Sequence, residues 1–224
     1  MVDIINEYEK YIKDNKYRWK FCSDIMYDMC SKNPKHTDDD VVAGKILIIG
    51  RSYAAAVERC SGKGEMTNDN FYYNKICGLI RDIHDLDSII EELNKSKSSI
   101  QDNIDKILGI HYRLSYAISP KNKNNFKRSF TSKYLHFHCP NHFFIYDERA
   151  KQALNKIITT CGIKIDKNIE IKSICDQDYK KFVIKMVSLQ EYIKDKLPSH
   201  NLPSPIQLDR FLLYYWDKEN KKDD

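Results

Sequence analysis

The chain of 224 residues is 42% hydrophobic and 31% charged, which is typical of one folded domain and excludes an intrinsically disordered chain. The net charge of +5 is below that of histone-like proteins, so binding to nucleic acid is permitted rather than required. Only 7 glycines and 6 prolines are present, which favours long helices over a β fold with many tight turns.

Cysteine usage and the first residues bear on the cellular compartment. The seven cysteines are an odd number and include no Cys-x-x-Cys pair, so a disulfide framework is not expected. The chain starts without the basic and apolar segments of a secretion signal, and its apolar stretches are too short to span a membrane. We therefore expect a cytoplasmic protein with no membrane partner, and we expect it to be a monomer.

Apolar residues recur at helical spacing along most of the chain. The predicted helices cover 3–14, 17–31, 41–60, 71–93, 100–117, 125–138, 148–160, 177–196 and 205–217. Thr37, with an acidic residue three positions later, resembles the capping box that opens a helix, and a bend is expected near His84. The prediction is an all-α fold with a single domain over 1–218 and a frayed tail at 219–224.

The most apolar segment, 41–60, allows two interpretations. Its β-branched residues would fit a strand at 45–49. However, no turn flanks this run, and the alanines at 54–56 continue the apolar pattern. One buried helix is therefore favoured.

The segment most informative about function surrounds Lys133. Phe126, Phe130 and Phe137 share one stripe of a predicted helix, and Lys133 lies in the same stripe. Burial of a lysine lowers its pKa and increases the fraction of neutral amine, which is the form that acts as a nucleophile. A lysine in such a stripe can equally extend its ammonium group to water, so spacing alone does not distinguish the two roles.

Asp147 follows the extended apolar run 143–146 and precedes a segment of strong helix-forming composition. This position predicts the N-cap of the next helix. Because Pro140 ends the helix that carries Lys133, the connection is short and the chain is able to fold back. Lys133 and Asp147 can then converge, although an aspartate before a helix can also be a cap and nothing more.

Ser132-Lys133 followed by Ile145-Tyr146-Asp147 resembles the catalytic portion of the helix-hairpin-helix DNA glycosylases, especially the 8-oxoguanine glycosylase-like (OGG fold) branch. In that family a Ser/Thr-Lys pair opens a helix, and an aspartate caps the helix that follows. The glycine-rich hairpin that precedes the lysine in the family is replaced here by 119–125. Lys133 and Asp147 are 14 residues apart, a shorter interval than in the better-known members.

The resemblance implies a helical bundle of the helix-hairpin-helix glycosylase fold that acts on DNA. The expected substrate is an oxidised purine or a modified base in foreign DNA, in repair or in phage defence. Lys133 would attack C1′ of the flipped nucleotide, and Asp147 would stabilise the positive charge that develops on the sugar. Abasic-site lyase activity is expected to accompany base release, and neither a metal nor a cofactor is implied.

Two further sets of residues are candidates because of their position or composition. The densest basic cluster, which would contact the DNA backbone unless it is only a solvated loop, consists of Lys121, Lys123, Lys127 and Arg128. The residues that would line the substrate pocket, four of them aromatic and one an arginine in an apolar helix, are His136, Tyr134, Phe144, Tyr146 and Arg51.

The histidines of this region also suggest other functions. His136, His138 and His142 lie close together with Cys139, as in some zinc sites. Residues two apart on a helix point to nearly opposite sides, so convergence of His136 and His138 on one metal is not expected. Two alternatives to the glycosylase stay open: a non-catalytic nucleic-acid-binding or regulatory helical protein, and a histidine- or metal-dependent nuclease.

Overall fold

The computed structural model describes residues 3–14, 20–55, 57, 70–119, 126–166 and 169–220. All of the long regular elements in these ranges are helical, which confirms the predicted all-α class. The α-helices are α1 (Ile4–Asp14), α2 (Lys20–Lys32), α3 (Asp39–Ser52), α4 (Gly78–Arg81), α5 (Leu86–Lys95), α6 (Ile104–Ile118), α7 (Arg128–His138), α8 (Glu148–Cys161), α9 (Gln177–Lys196) and α10 (Pro205–Asn220). A π-helical segment, Asn70–Cys77, leads directly into α4.

The start of α3 differs from the prediction by one residue. The cap is Asp38, not Thr37: the Asp38 carboxylate accepts hydrogen bonds from the backbone N–H groups of Asp40 and Val41. An N-cap side chain must reach the N–H groups two and three residues ahead, and Asp38 is the residue at that distance from these two donors.

The end of α3 also differs. Residues 45–49 are helical as favoured, but α3 stops at Ser52 instead of continuing through the alanines. Ala54 has a φ of 50°, a left-handed conformation that a right-handed helix cannot contain. Residues 56 and 58–60 of the predicted helix lie outside the described residues.

The other boundaries are close to those predicted. The expected bend near His84 is confirmed, because α4 ends at Arg81 and α5 begins at Leu86. The last helix is longer than predicted: α10 continues to Asn220, where Glu219 forms an ion pair with Lys156 of α8.

Helix α7 lies in the interior of the molecule. Every side chain from Phe130 to His138 is buried, and α7 packs against α2, α3 and α6. The predicted single apolar stripe is therefore wrong, since Phe126 precedes α7 and the helix is enclosed on all sides. Lys133 is buried because the whole helix is a core element.

The C-terminal half surrounds the start of α8. Helix α8 packs against α9 and α10, and α1 covers α10. Gly162 ends α8 in the left-handed conformation, with a φ of 59°. Within the described helices, none combines the length and the apolar character that crossing a lipid bilayer requires.

Candidate active site around Lys133

A hydrogen bond between the two sequence motifs brings Lys133 and Asp147 to the same region. The Oγ atom of Ser132 accepts a bond of 2.9 Å from the backbone N–H of Tyr146. Ser132 directly precedes Lys133, and Tyr146 directly precedes Asp147, so this bond aligns the two pairs of residues. Both groups are buried, where an unpaired N–H would be costly, so the alignment is strongly favoured.

Two more side chains hold the extended segment 143–146. The Tyr179 hydroxyl of α9 donates to the Phe144 carbonyl at 3.0 Å. The His136 Nδ1 atom lies 2.8 Å from the Phe143 carbonyl, which can only accept, so Nδ1 carries the proton. The other ring nitrogen, Nε2, then accepts from the Tyr27 hydroxyl of α2 at 2.7 Å. The segment that leads to Asp147 is thus fixed from two sides.

The Lys133 amine is almost fully withdrawn from water. The residue is 6% exposed, and its Nζ atom donates a hydrogen bond of 2.8 Å to the Ser129 hydroxyl. Burial lowers the pKa of Lys133, while the charges of Asp147 and Asp209 act in the opposite direction and that of Arg149 adds to the lowering. The result is an amine with reduced proton affinity that interacts with two carboxyl groups.

Asp147 is the N-cap of α8, as predicted. Its side chain accepts a bond of 3.0 Å from the backbone N–H of Arg149, and the Arg149 Nε atom lies 3.5 Å away. The Asp147 side chain remains 24% exposed. The carboxylate therefore sits at the positive end of a helix, open to solvent on one side and within electrostatic range of Lys133 on the other.

Asp209 is the residue of this region that sequence analysis missed. It lies in α10, is 6% exposed, and its Oδ1 atom has no hydrogen-bond partner among the described residues. Burial raises the pKa of Asp209 to about 7, against the charge of Lys133, which lowers it. The signal in the sequence is an acidic residue beside the apolar residues Leu208, Phe211 and Leu212, which are buried with it in α10.

Tyr134 points into a different cluster. Its ring packs against Phe130, His36 and His138, at centroid separations of 5.7, 5.7 and 5.1 Å, and it is fully buried. The ring of His138 in turn contacts His36, whose Nδ1 pairs with Asp87. Burial raises the pKa of Tyr134 and lowers that of His138, so both side chains stay neutral in a cluster on α7.

The other predicted pocket residues have separate surroundings. Phe144 is fully buried. Tyr146 is 9% exposed and packs edge-on against Phe182. The Lys151 ammonium lies 5.7 Å from the centre of the Tyr146 ring. Arg51 is exposed in the last turn of α3. The fifth, His136, forms hydrogen bonds to other residues of the protein through both ring nitrogens. Burial lowers its pKa to about 4.

The predicted DNA-backbone residues divide into two groups. Lys121 and Lys123 lie outside the described residues. Lys127 is 8% exposed, and the Arg128 guanidinium forms an ion pair of 2.6 Å with the buried Asp176 carboxylate. Arg128 therefore neutralises an internal acid that also caps α9.

A cation that the sequence analysis did not single out lies at the open side of Asp147. Arg149 is half exposed, and its guanidinium lies 5.8 Å from the ring centre of Trp216 in α10. The indole orients the guanidinium, and the Asp147 carboxylate, 3.5 Å from its Nε atom, partly neutralises it. Arg149 is thus an oriented surface cation next to the Lys133 region.

Metal ligation has no structural counterpart in the described ranges. No group of three or more His, Cys, Asp or Glu side chains there is arranged to hold a metal ion. Of the three histidines that suggested zinc, His136 forms hydrogen bonds with Phe143 and Tyr27, and His138 packs in the Tyr134 cluster.

Compared with protein-family models, curated proteins and solved structures, the chain gives no match in any of the three.

Proposed function

We propose that this protein is a DNA glycosylase-like enzyme that releases a modified or damaged base, with Lys133 as the nucleophile and Asp147 as its partner carboxylate. One observation carries the proposal: an amine withdrawn from water, with a lowered pKa, shares its surroundings with a helix-capping carboxylate. The substrate class is an oxidised purine or a modified base in foreign DNA.

In this mechanism the target nucleotide leaves the base stack and enters the site. The neutral amine of Lys133 attacks C1′ of the sugar, and the bond between C1′ and the base breaks with its electron pair going to the base. The departing base takes up the proton that the lysine nitrogen loses once it is bonded to C1′, and O4′ takes up a proton from water when the ring opens. Opening of the sugar ring at O4′ then gives a Schiff base between Lys133 and C1′, which water hydrolyses to free the amine.

Asp147 contributes through its charge. The sugar becomes positively charged as the base departs, and a fixed carboxylate close to that position lowers the energy of the transition state. Because the cap bond to Arg149 and the fixed segment 143–146 already orient Asp147, little reorganisation is needed during the reaction. In this proposal the half-exposed Arg149 contacts a DNA phosphate beside the site.

Covalent trapping tests this proposal without knowledge of the natural base. An oligonucleotide with an abasic site is incubated with the protein and sodium borohydride, which reduces a Schiff base to a stable adduct. We expect an adduct with the wild type and none with Lys133→Gln. Lys95→Gln, which changes an exposed lysine of α5, should trap like the wild type.

Asp147→Asn separates the charge of Asp147 from its capping role. Asparagine caps helices as well as aspartate does, so the fold should be retained. Removal of the charge should slow base release on the oligonucleotide that serves as substrate by about 100-fold or more.

Two results would contradict the proposal. DNA binding without an adduct, and without base release from a panel of modified oligonucleotides, would indicate a non-catalytic binding protein. Strand cleavage that EDTA abolishes and Lys133→Gln leaves intact would indicate a metal-dependent nuclease.

A further inference from the structure

The Lys133 amine has one hydrogen-bond partner in the described part of the chain, and that partner is a neutral hydroxyl. Nζ donates a bond of 2.8 Å to the Oγ atom of Ser129, which lies one turn earlier in α7. Among the described residues, no carboxylate forms an ion pair with this amine. A long side chain on a helix leans toward the N-terminus of that helix, so the direction of Lys133 toward Ser129 is the one that the backbone favours.

Ser129 lies in the first turn of α7, the part of this helix that is not fully buried. Arg128 and Ser129 are partly exposed, whereas each side chain from Phe130 to His138 is buried. Arg128 is engaged by ion pairs with Asp176 and Asp178. Ser129 is therefore the partly exposed residue in direct contact with the buried amine, and a substrate that reaches the amine along α7 passes it.

The backbone of Ser129 also takes part in the alignment of the site. Its carbonyl accepts a hydrogen bond of 3.2 Å from the Ser132 hydroxyl, and the Ser132 Oγ atom accepts from the Tyr146 N–H. One residue thus contacts the amine through its side chain and, through its backbone, the serine that aligns the segment before Asp147. A substitution at position 129 changes the first contact and leaves the second in place.

A hydroxyl partner affects an amine differently from a carboxylate partner. A carboxylate that is bonded to an ammonium group favours the protonated form strongly, and a protonated amine cannot act as a nucleophile. A hydroxyl fixes the position of the nitrogen with a much smaller effect on its charge. Because the amine uses an N–H in this bond, its lone pair remains available for attack.

Resting on the function proposed above, we propose that Ser129 is a positioning residue for Lys133: its hydroxyl holds the amine at the partly exposed end of α7 without adding a negative charge that would keep the amine protonated. Position matters for the rate, because a displacement of about 1 Å at a reacting group can slow a reaction about 100-fold.

Three substitutions at position 129 separate position from charge. Ser129→Thr retains the hydroxyl, Ser129→Ala removes it, and Ser129→Asp replaces it with a carboxylate. The position is partly exposed and lies in the first turn of a helix, where an acidic residue is favourable, so all three variants should fold. The charged residues that act on Lys133 from α8 and α10, namely Asp147, Arg149 and Asp209, are the same in each variant.

Titration of the Lys133 amine measures the effect on charge in the free protein. The amine is followed through its Cε signal in NMR spectra of 13C-lysine-labelled protein, assigned by its loss in Lys133→Met. Ser129→Asp should move the titration midpoint to higher pH by about one unit, a tenfold change in proton affinity. Ser129→Ala should move it to lower pH, because a hydrogen bond to the ammonium form is lost. The control is Ser88→Ala, which changes an exposed serine of α5 and should not move it.

Trapping on abasic-site DNA, with sodium cyanoborohydride as the reductant and over a range of pH, measures the effect on position. At the pH of its own maximal rate, Ser129→Ala should trap at least about tenfold more slowly than the wild type, although more of its amine is neutral. Ser129→Thr should restore trapping close to the wild-type rate. In Ser129→Asp the pH of maximal trapping should rise together with the titration midpoint of Lys133.

The outcomes distinguish this inference from the function on which it rests. An adduct that forms equally fast in the wild type and in Ser129→Ala would refute the positioning role and leave the glycosylase function intact. An unchanged midpoint in Ser129→Asp would also overturn the inference, because position 129 would then not contact the amine. No adduct in the wild type, with a midpoint that still moves in Ser129→Asp, would refute the glycosylase function and reduce the hydrogen bond to a structural contact.

Discussion

Burial of His111 provides a stability prediction whose size follows from the structure. His111 of α6 is fully buried and stacks on Tyr179 of α9, with ring centroids 3.5 Å apart and planes within 10°. Burial lowers the pKa of His111 from 6.5 to about 3. Neither ring nitrogen makes a hydrogen bond of good geometry, and a weaker contact with the Arg128 backbone raises the pKa against the effect of burial, so phenylalanine fills the same space at the cost of that contact alone.

The direction of the pH effect on the free energy of unfolding follows from which state binds a proton at His111. Below pH 6.5 the unfolded chain takes up a proton at His111, whereas the folded protein leaves this ring neutral down to about pH 3. Acid therefore favours the unfolded state, by about 1.4 kcal/mol per pH unit for one such group. Between pH 6.5 and 5 the contribution of His111 amounts to about 2 kcal/mol.

His111→Phe should remove this part of the pH dependence. His136 titrates in the same direction, and Asp209, whose pKa is raised to about 7, in the opposite one, so the difference between variant and wild type isolates His111. In urea unfolding followed by circular dichroism, the variant should lose about 2 kcal/mol less between pH 6.5 and 5, or about 4–8 °C in Tm.

His84→Gln is the matched control, because it changes an exposed histidine and leaves the buried His111 ring in place. If His111→Phe has the same pH slope as the wild type, the argument that this ring stays neutral in the folded protein is wrong.

Three further substitutions test the framework of the site. Arg128→Gln leaves the Asp176 carboxylate buried without its ion pair, so the free energy of unfolding in urea should fall by about 3 kcal/mol; a loss below about 0.5 kcal/mol would point to an exposed pair. Ser132→Ala removes the acceptor of the Tyr146 N–H and should lower it by about 1–3 kcal/mol, with slower trapping on abasic-site DNA; an unchanged trapping rate would show that this bond does not align the site. Gly162→Ala places a Cβ at a φ of 59° and should lower the free energy of unfolding by about 1 kcal/mol. An unchanged free energy of unfolding would show that the helix end rearranges.

The parts of the site that are encoded locally could be predicted from sequence. Asp147 was recognised as an N-cap because a cap depends on residues within one helical turn. The approach of Lys133 to Asp147 depends on a short connection after Pro140, which is also local. Burial of Lys133 was predicted from a stripe that does not exist, since enclosure of α7 by α2, α3 and α6 is a property of the tertiary fold.

The parts that depend on distant residues could not be predicted. His136 has its role because Tyr27, more than one hundred residues earlier, occupies its second nitrogen. Asp209 comes to the site from the last helix, and no spacing relates it to Lys133. The end of α3 at Ser52 was missed because alanine has the highest helix propensity, while Ala54 adopts a left-handed conformation.

Enclosure of α7 also limits how this protein can diversify. Each side chain from Phe130 to His138 fills interior space, so a substitution that reshapes the neighbourhood of the amine disturbs packing at the same time. If the proposed glycosylase function holds, preference for one base over another would be altered at lower cost by residues of the surrounding elements, such as Arg149 or Trp216. Laboratory evolution of a new specificity should start at those positions and leave the central helix intact.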